Sequence, residues 1–245
     1  MMTFEESLKT YEYQQEDIGN LSEIPNTDIF VLSLPKCGTT SIADGFRNLG
    51  IKAIHAHTNE STWHYVTNGH ILRENGWGME HFIQHRLRTN PKEITIYTGF
   101  RDPISWYLSL MTHYTEILTL ELQQNFICNL YNAEPWSSFS YVKQFKLIET
   151  CTGINILEHE FDQKNGLTVI KGSGFQLVLF RLDKINNLEA HIKKTTPEFC
   201  LANKRINTSD GYARIKSLFK VSPSDMDMLK ADPYVKFFFG DSNET

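Results

Sequence analysis

The stretch Pro35-Lys36-Cys37-Gly38-Thr39-Thr40-Ser41 places a cation, a glycine and three hydroxyls side by side. At the head of a helix such a loop suits an anion of phosphate or sulfate size. The first amides of a helix lack internal partners, the macrodipole favours negative charge there, and hydroxyls add donors. Lys36 stands before Gly38, and Thr39 follows it. The GxxxxGK[ST] loop of nucleotide hydrolases needs Lys directly after its last Gly, so the pair that holds Mg²⁺ and terminal phosphates in those enzymes is missing. A second combination is Arg101-Asp102-Pro103 followed by Ser109. On a helix Ser109 falls roughly 10 Å beyond the cap, so Arg101 and Ser109 share an anion only if the strand end folds back over the helix. Taken singly, Arg101 equally suits an ion pair, and Ser109 a buried hydroxyl bonded within its helix. The third combination is imidazole: six of the nine histidines (His55, His57, His64, His70, His81, His85) lie between 55 and 85. In an extended strand His55 and His57 share a face. A pair of this kind can hold a metal, but no third ligand stands at short spacing, so no metal site is expected.

These residues need elements to hold them. Residues 29–34, Ile-Phe-Val-Leu-Ser-Leu, form the short apolar run of a parallel strand covered on both faces. Ile42, Phe46 and Leu49 then follow helical spacing, and Gly50 sits where a helix closes. Residues 51–57 read as the next strand. Strand, loop, helix and strand make a βαβ unit with parallel strands. The pattern recurs at 94–100, which runs into Asp102 as N-cap and Pro103 as first helical residue. Ile104, Tyr107, Leu108, Met111 and Leu118 mark the buried stripe of a helix ending near Leu120. A further helix is predicted from Pro135, burying Phe139, Val142, Phe145 and Ile148. A strand is predicted at 176–182, and Tyr212, Ile215 and Phe219 suggest a late helix. The expected architecture is a three-layer α/β fold with a mainly parallel sheet.

The 245 residues have 40% hydrophobic and 22% charged side chains, which excludes a disordered chain, a fibre and a coiled coil. Residues 1–24 carry six acids against Lys9, a net −5 equal to that of the whole chain. A mobile acidic arm over 1–24 and a single domain over 25–245 is the simplest partition. The neutral body lacks the basic field of a general nucleic-acid binder. Glu5, Glu6 and Lys9 interrupt any export signal and no apolar run reaches the roughly 18 residues of a membrane span, so no membrane span and a cytoplasmic location are expected. Cysteines at 37, 128, 151 and 200 show no CxxC or zinc spacing and are expected to be reduced.

In order and on successive βα units, the two loops resemble those of the sulfotransferases. Residues 35–41 are similar to the 5′-phosphosulfate loop of that superfamily, commonly PKSGTT or PKAGTT, and Arg101 with Ser109 to its 3′-phosphate segment. Phe161-Asp162 with Gly166, Phe180-Arg181-Leu182-Asp183, Asn203-Lys204 with Tyr212, Phe219-Lys220 and the run 234–239 look like a bacterial capsular polysaccharide synthesis family of sulfotransferase-like proteins. The resemblance spans about residues 29–240. It implies a P-loop-like sulfotransferase fold and 3′-phosphoadenylyl sulfate (PAPS) as co-substrate, released as 3′,5′-ADP, with no metal. It implies that Lys36, Cys37, Gly38, Thr39, Thr40 and Ser41 bind the phosphosulfate, and Arg101 and Ser109 the 3′-phosphate. Ser41 stands where cytosolic members often place an adenine-stacking Trp, and no Arg-Lys-Gly triplet occurs near the end; Lys204 and Arg205 are the nearest substitute cations. His55-Ala56-His57 resembles an HxH segment of carbohydrate O-sulfotransferases whose second His is the base, which implies His57, with His55 and Glu60 as alternatives. The acceptor is then a hydroxyl or amine of a saccharide or small natural product. A nucleotide-kinase-like phosphotransferase and a non-catalytic nucleotide- or glycan-binding module remain the rival functions on this scaffold.

Overall fold

Phe30 and Val31 are adjacent in the chain yet buried in different cores, one on each face of a sheet. Their strand, β1 (Ile29–Leu32), lies between β2 (Ala53–Asn59) and β5 (Ile94–Phe100) and pairs in parallel with both. The computed structural model describes residues 27–59, 62–67, 70–71, 79–114, 141–202, 216–217 and 219–240. The segment 1–24 lies outside these residues, as do Glu60, Lys204, Arg205, Tyr212 and Ile215 and the predicted helix ends at 115–120 and 135–140.

The sheet has seven strands. Beside those named are β3 (Thr62–Thr67), β4 (His70–Ile71), β6 (Leu167–Gly172) and β7 (Phe175–Arg181), in the order β4-β3-β2-β1-β5-β7-β6. The four central strands are parallel, in keeping with the expectation, whereas β3, β4 and β6 are antiparallel additions at the edges. The predicted strand ends shift for identifiable reasons. Ile51 spends its amide on Phe46 O, closing the preceding helix, so β2 starts at Ala53 rather than at 51. Leu34 leaves the ladder because its amide donates to a side chain, and β1 stops at Leu32.

Helices cover both faces. Helix α1 (Thr39–Arg47) lays Ile42, Ala43 and Phe46 over Val31 and Tyr97, joined by Leu188 and Ile192 of α5 (Ile185–Ile192). The other face carries α2 (Met79–Thr89), α3 (Pro103–Tyr114), α4 (Tyr141–Thr152), α6 (Pro223–Ala231) and α7 (Pro233–Phe239). There Trp106, Tyr107, Phe145 and Phe238 pack with Phe30, Leu32, Ile96 and Leu177. Phe100, last in β5, stacks on Phe238 at 4.4 Å between ring centroids and 7° between planes. Each fully buried side chain of this size contributes about 1.5–3 kcal/mol of transfer free energy.

Helix α4 corrects the predicted stripe. Tyr141, Gln144, Phe145 and Ile148 are buried, while Val142 is 43% exposed. Steps of three residues fall about 60° short of a full turn each time, so a stripe run back from Ile148 through Phe145 to Val142 drifts off the core face. Among the described residues no helix is long and apolar enough to cross a membrane.

Candidate functional site

Where β1 ends, the chain turns over the carboxyl edge of the sheet and enters α1. Lys36 has φ 67° and Gly38 φ 78°, whereas Cys37 between them is not in the left-handed region. Left-handed residues at alternate positions are a feature of backbone nests, in which successive N–H groups converge on one anion. Gly38 is the N-cap of α1 without a side-chain bond, and the first turn contains no acid. No capping side chain competes for its amides, and the dipole stays uncompensated.

Lys36 is the one described residue other than glycine with positive φ, a conformation that costs on the order of 1–3 kcal/mol and persists only where the surroundings enforce it. The loop carbonyls show what enforces it. Trp106 Nε1 donates to Pro35 O at 2.9 Å, and Arg101 Nη1 donates to Lys36 O at 3.2 Å. The next carbonyl, that of Cys37, closes on Gly99, where a Cβ would stand 3.1 Å from it and 2.5 Å from the Phe180 ring. Glycine is needed there for this close approach. Upstream, Leu34 N donates to Gln144 Oε1 at 2.9 Å, and Gln144 Nε2 donates to Thr98 Oγ1 at 2.8 Å and Gly99 O at 3.1 Å. Ser33 Oγ also donates to Gly99 O, at 2.8 Å. Three elements, β5, α3 and α4, with Arg101 in the turn between the first two, thus hold residues 33–36.

Downstream the hydroxyls of 39–41 separate. Thr39 is 2% exposed, and its Oγ1 hydrogen-bonds His55 Nε2 at 2.7 Å, the imidazole being 3% exposed. Thr40 is exposed and Ser41 half-buried, with the Ser41 carbonyl accepting from Ala202 N at 3.1 Å. Of the three, Thr40 is the hydroxyl best presented to a ligand from solvent.

The electrostatics are cationic. Burial first, and then the neighbouring Arg101 guanidinium, hold the half-buried Lys36 ammonium below its ordinary value. An anion between two such cations relieves the repulsion. Cys37 differs: its thiol is sealed in the core, and burial pushes its pKa up to about 11 although Ser33 and Arg101 pull the other way. Cys37 therefore offers its backbone, not a thiolate.

The structure brings together Lys36, Cys37, Gly38, Thr39, Thr40, Ser41, His55 and Arg101. Asp102 caps α3 by accepting from Ser105 N at 2.8 Å, which fixes the turn that delivers Arg101. Ser109 lies within α3, 5% exposed. His57 is placed by its backbone: Ala56 O accepts from Ser33 N at 3.3 Å, so His57 stands at the sheet's carboxyl edge beside the start of the loop, and directly opposite His64 of β3. Lys204, Arg205 and Glu60 are outside the described residues. The supports missing from the sequence reading are Gln144, Trp106, Ser33 and Thr98. Gln144 left a trace, a polar residue at helical spacing among Tyr141, Phe145 and Ile148. Compared with protein-family models, curated proteins and solved structures, the chain matches none.

Proposed function

We propose that this chain is a sulfotransferase, transferring a sulfuryl group from PAPS to a hydroxyl or amine of a saccharide or small natural-product acceptor. The observation that carries the reading is the pairing of Lys36 and Arg101 at a nest-shaped loop that opens an uncapped helix. A phosphosulfate fits such a site: the converging amides suit its anionic oxygens, and Lys36 and the Thr40 hydroxyl supply donors.

On this reading the acceptor oxygen or nitrogen forms a bond to sulfur as the bond from sulfur to the bridging phosphate oxygen breaks in line. Negative charge grows on that bridging oxygen, where Lys36 stabilises it; a preorganised donor of this kind is worth about 10²–10³ in rate. The acceptor's proton passes to His57, imidazole being the side chain whose unperturbed pKa suits a base at neutral pH. Sulfated acceptor and 3′,5′-ADP leave. Arg101 with Ser109 reads the 3′-phosphate and so separates PAPS from ATP.

The test is thermal denaturation with 3′,5′-ADP, 5′-AMP, ATP and Mg-ATP. A ligand at 100 times its Kd stabilises the fold by about 2.7 kcal/mol. The expected result is a large shift with 3′,5′-ADP alone, and in Arg101→Ala a loss of 3′,5′-ADP affinity far beyond that of 5′-AMP. Equal losses for both ligands assign Arg101 to holding Lys36 O instead. A shift confined to Mg-ATP favours a phosphotransferase, and 3′,5′-ADP binding without turnover over a broad acceptor panel favours a binding module.

A further inference from the structure

The loop hangs between two sets of tethers. Trp106, Arg101 and Gln144 hold residues 34–36 from the face covered by α3 and α4. The downstream end enters α1 on the opposite face, where Thr39 is tied to His55. His55 stands opposite Val31 in the parallel register of β1 and β2, the innermost part of the sheet, and both bonded side chains are all but sealed from solvent.

We infer that His55 is a positioning residue of the anion site, an inference that rests on the loop binding the phosphosulfate. Its imidazole anchors the Thr39 side chain to β2 and so aims the first amides of α1. A neutral imidazole can accept the Thr39 proton at Nε2 or donate from it, according to tautomer, and an imidazolium donates. The contact therefore survives any protonation state. With its Thr39 contact buried, His55 serves the donor side, and the acceptor's proton falls to another group. His55 acts through Thr39, while on the sulfotransferase reading Thr40 contacts the anion directly. The two neighbouring threonines should then couple differently to His55.

The experiment is a pair of double-mutant cycles on the full chain, read as calorimetric affinity for 3′,5′-ADP. His55→Ala and Thr39→Val should each weaken binding roughly tenfold, and the double variant should be no weaker than the poorer single, because one hydrogen bond is lost in all three. Combined with Thr40→Val, His55→Ala should instead multiply its loss. His55→Gln, which returns a polar group near the Nε2 position, and Thr39→Ser, which keeps the hydroxyl, should stay within about threefold of wild type. If the Ala and Val variants do not fold, these two conservative variants decide: a tenfold loss in either, with the fold retained, overturns the inference. Independent losses in the His55 and Thr39 cycle overturn it as well. A wild type that binds pyrophosphate but not 3′,5′-ADP refutes the sulfotransferase reading alone, and the cycles proceed with pyrophosphate. A wild type that binds neither overturns both.

Discussion

Lys36 combines two roles that pull on the residue in different ways. Its ammonium belongs to the proposed chemistry, and its backbone occupies a left-handed conformation that a glycine would adopt freely. Two substitutions separate the roles. Lys36→Ala and Lys36→Gly should both lower kcat by roughly 10²–10³, since either removes the donor to the leaving oxygen, while 3′,5′-ADP affinity changes less. Lys36→Gly should nevertheless be more stable than Lys36→Ala by about 1 kcal/mol, because only the alanine retains the strain. Urea midpoints at unchanged slope measure that difference. Equal midpoints would mean that the tethers on the Pro35 and Lys36 carbonyls impose no strain, and full activity in either variant would remove Lys36 from the site.

Those tethers come from whole elements, and here the sequence was legible unevenly. The motif residues of the site were readable because each loop follows a short apolar strand and opens a helix, so chain order alone brings Lys36 and Arg101 to one sheet edge. Gln144 was hidden, since it comes from a helix some forty residues farther on, and a polar residue inside an apolar stripe shows its purpose only once Leu34 N, Thr98 and Gly99 stand around it. The edge strands were hidden for another reason. Antiparallel β6 is set by the hairpin at Ser173-Gly174, and its half-buried residues lack the continuous apolar run of a central strand. Gln144→Leu keeps the volume of the α4 stripe but takes the acceptor from the buried Leu34 amide and the donor from the buried Thr98 hydroxyl, while Gly99 O keeps Ser33 Oγ; each group left unsatisfied costs about 1–3 kcal/mol. The expected outcome is a lower denaturation midpoint together with weaker 3′,5′-ADP binding, because Leu34 N anchors the loop. A variant that loses stability at unchanged affinity would show that the loop holds its shape without α4.

At the scale of the whole molecule, the sheet separates its two ends by purpose. At the amino edge Asp28 joins the buried Arg86 (2.8 Å) and Lys92, tying α2 to the strands, while the carboxyl edge gathers Lys36 and Arg101 around the loop. Between them lie two apolar cores, and the groups embedded there set how the fold responds to alkali. The Cys37 thiol, ordinarily near 9.0, is held up to about 11 by burial. Between those values the unfolded chain has released this proton and the folded chain has not, so stability falls as pH rises; below 9.0 the contribution is intact. At 1.36 kcal/mol per pH unit the loss amounts to roughly 2–3 kcal/mol. Tyr97, also raised by burial, acts in the same sense at still higher pH. Lys36, lowered, acts in the opposite sense, because the folded state gives up its proton first and gains relative stability as pH climbs through that window. Cys37→Ala isolates the thiol from both. Denaturant titrations of wild type and variant from pH 8 to 11 should show a steeper decline in wild type, with most of the difference arising above 9.0. Parallel declines would move the alkaline loss from the loop to Tyr97 and show that the Cys37 thiol ionises in the folded protein as it does in the unfolded chain.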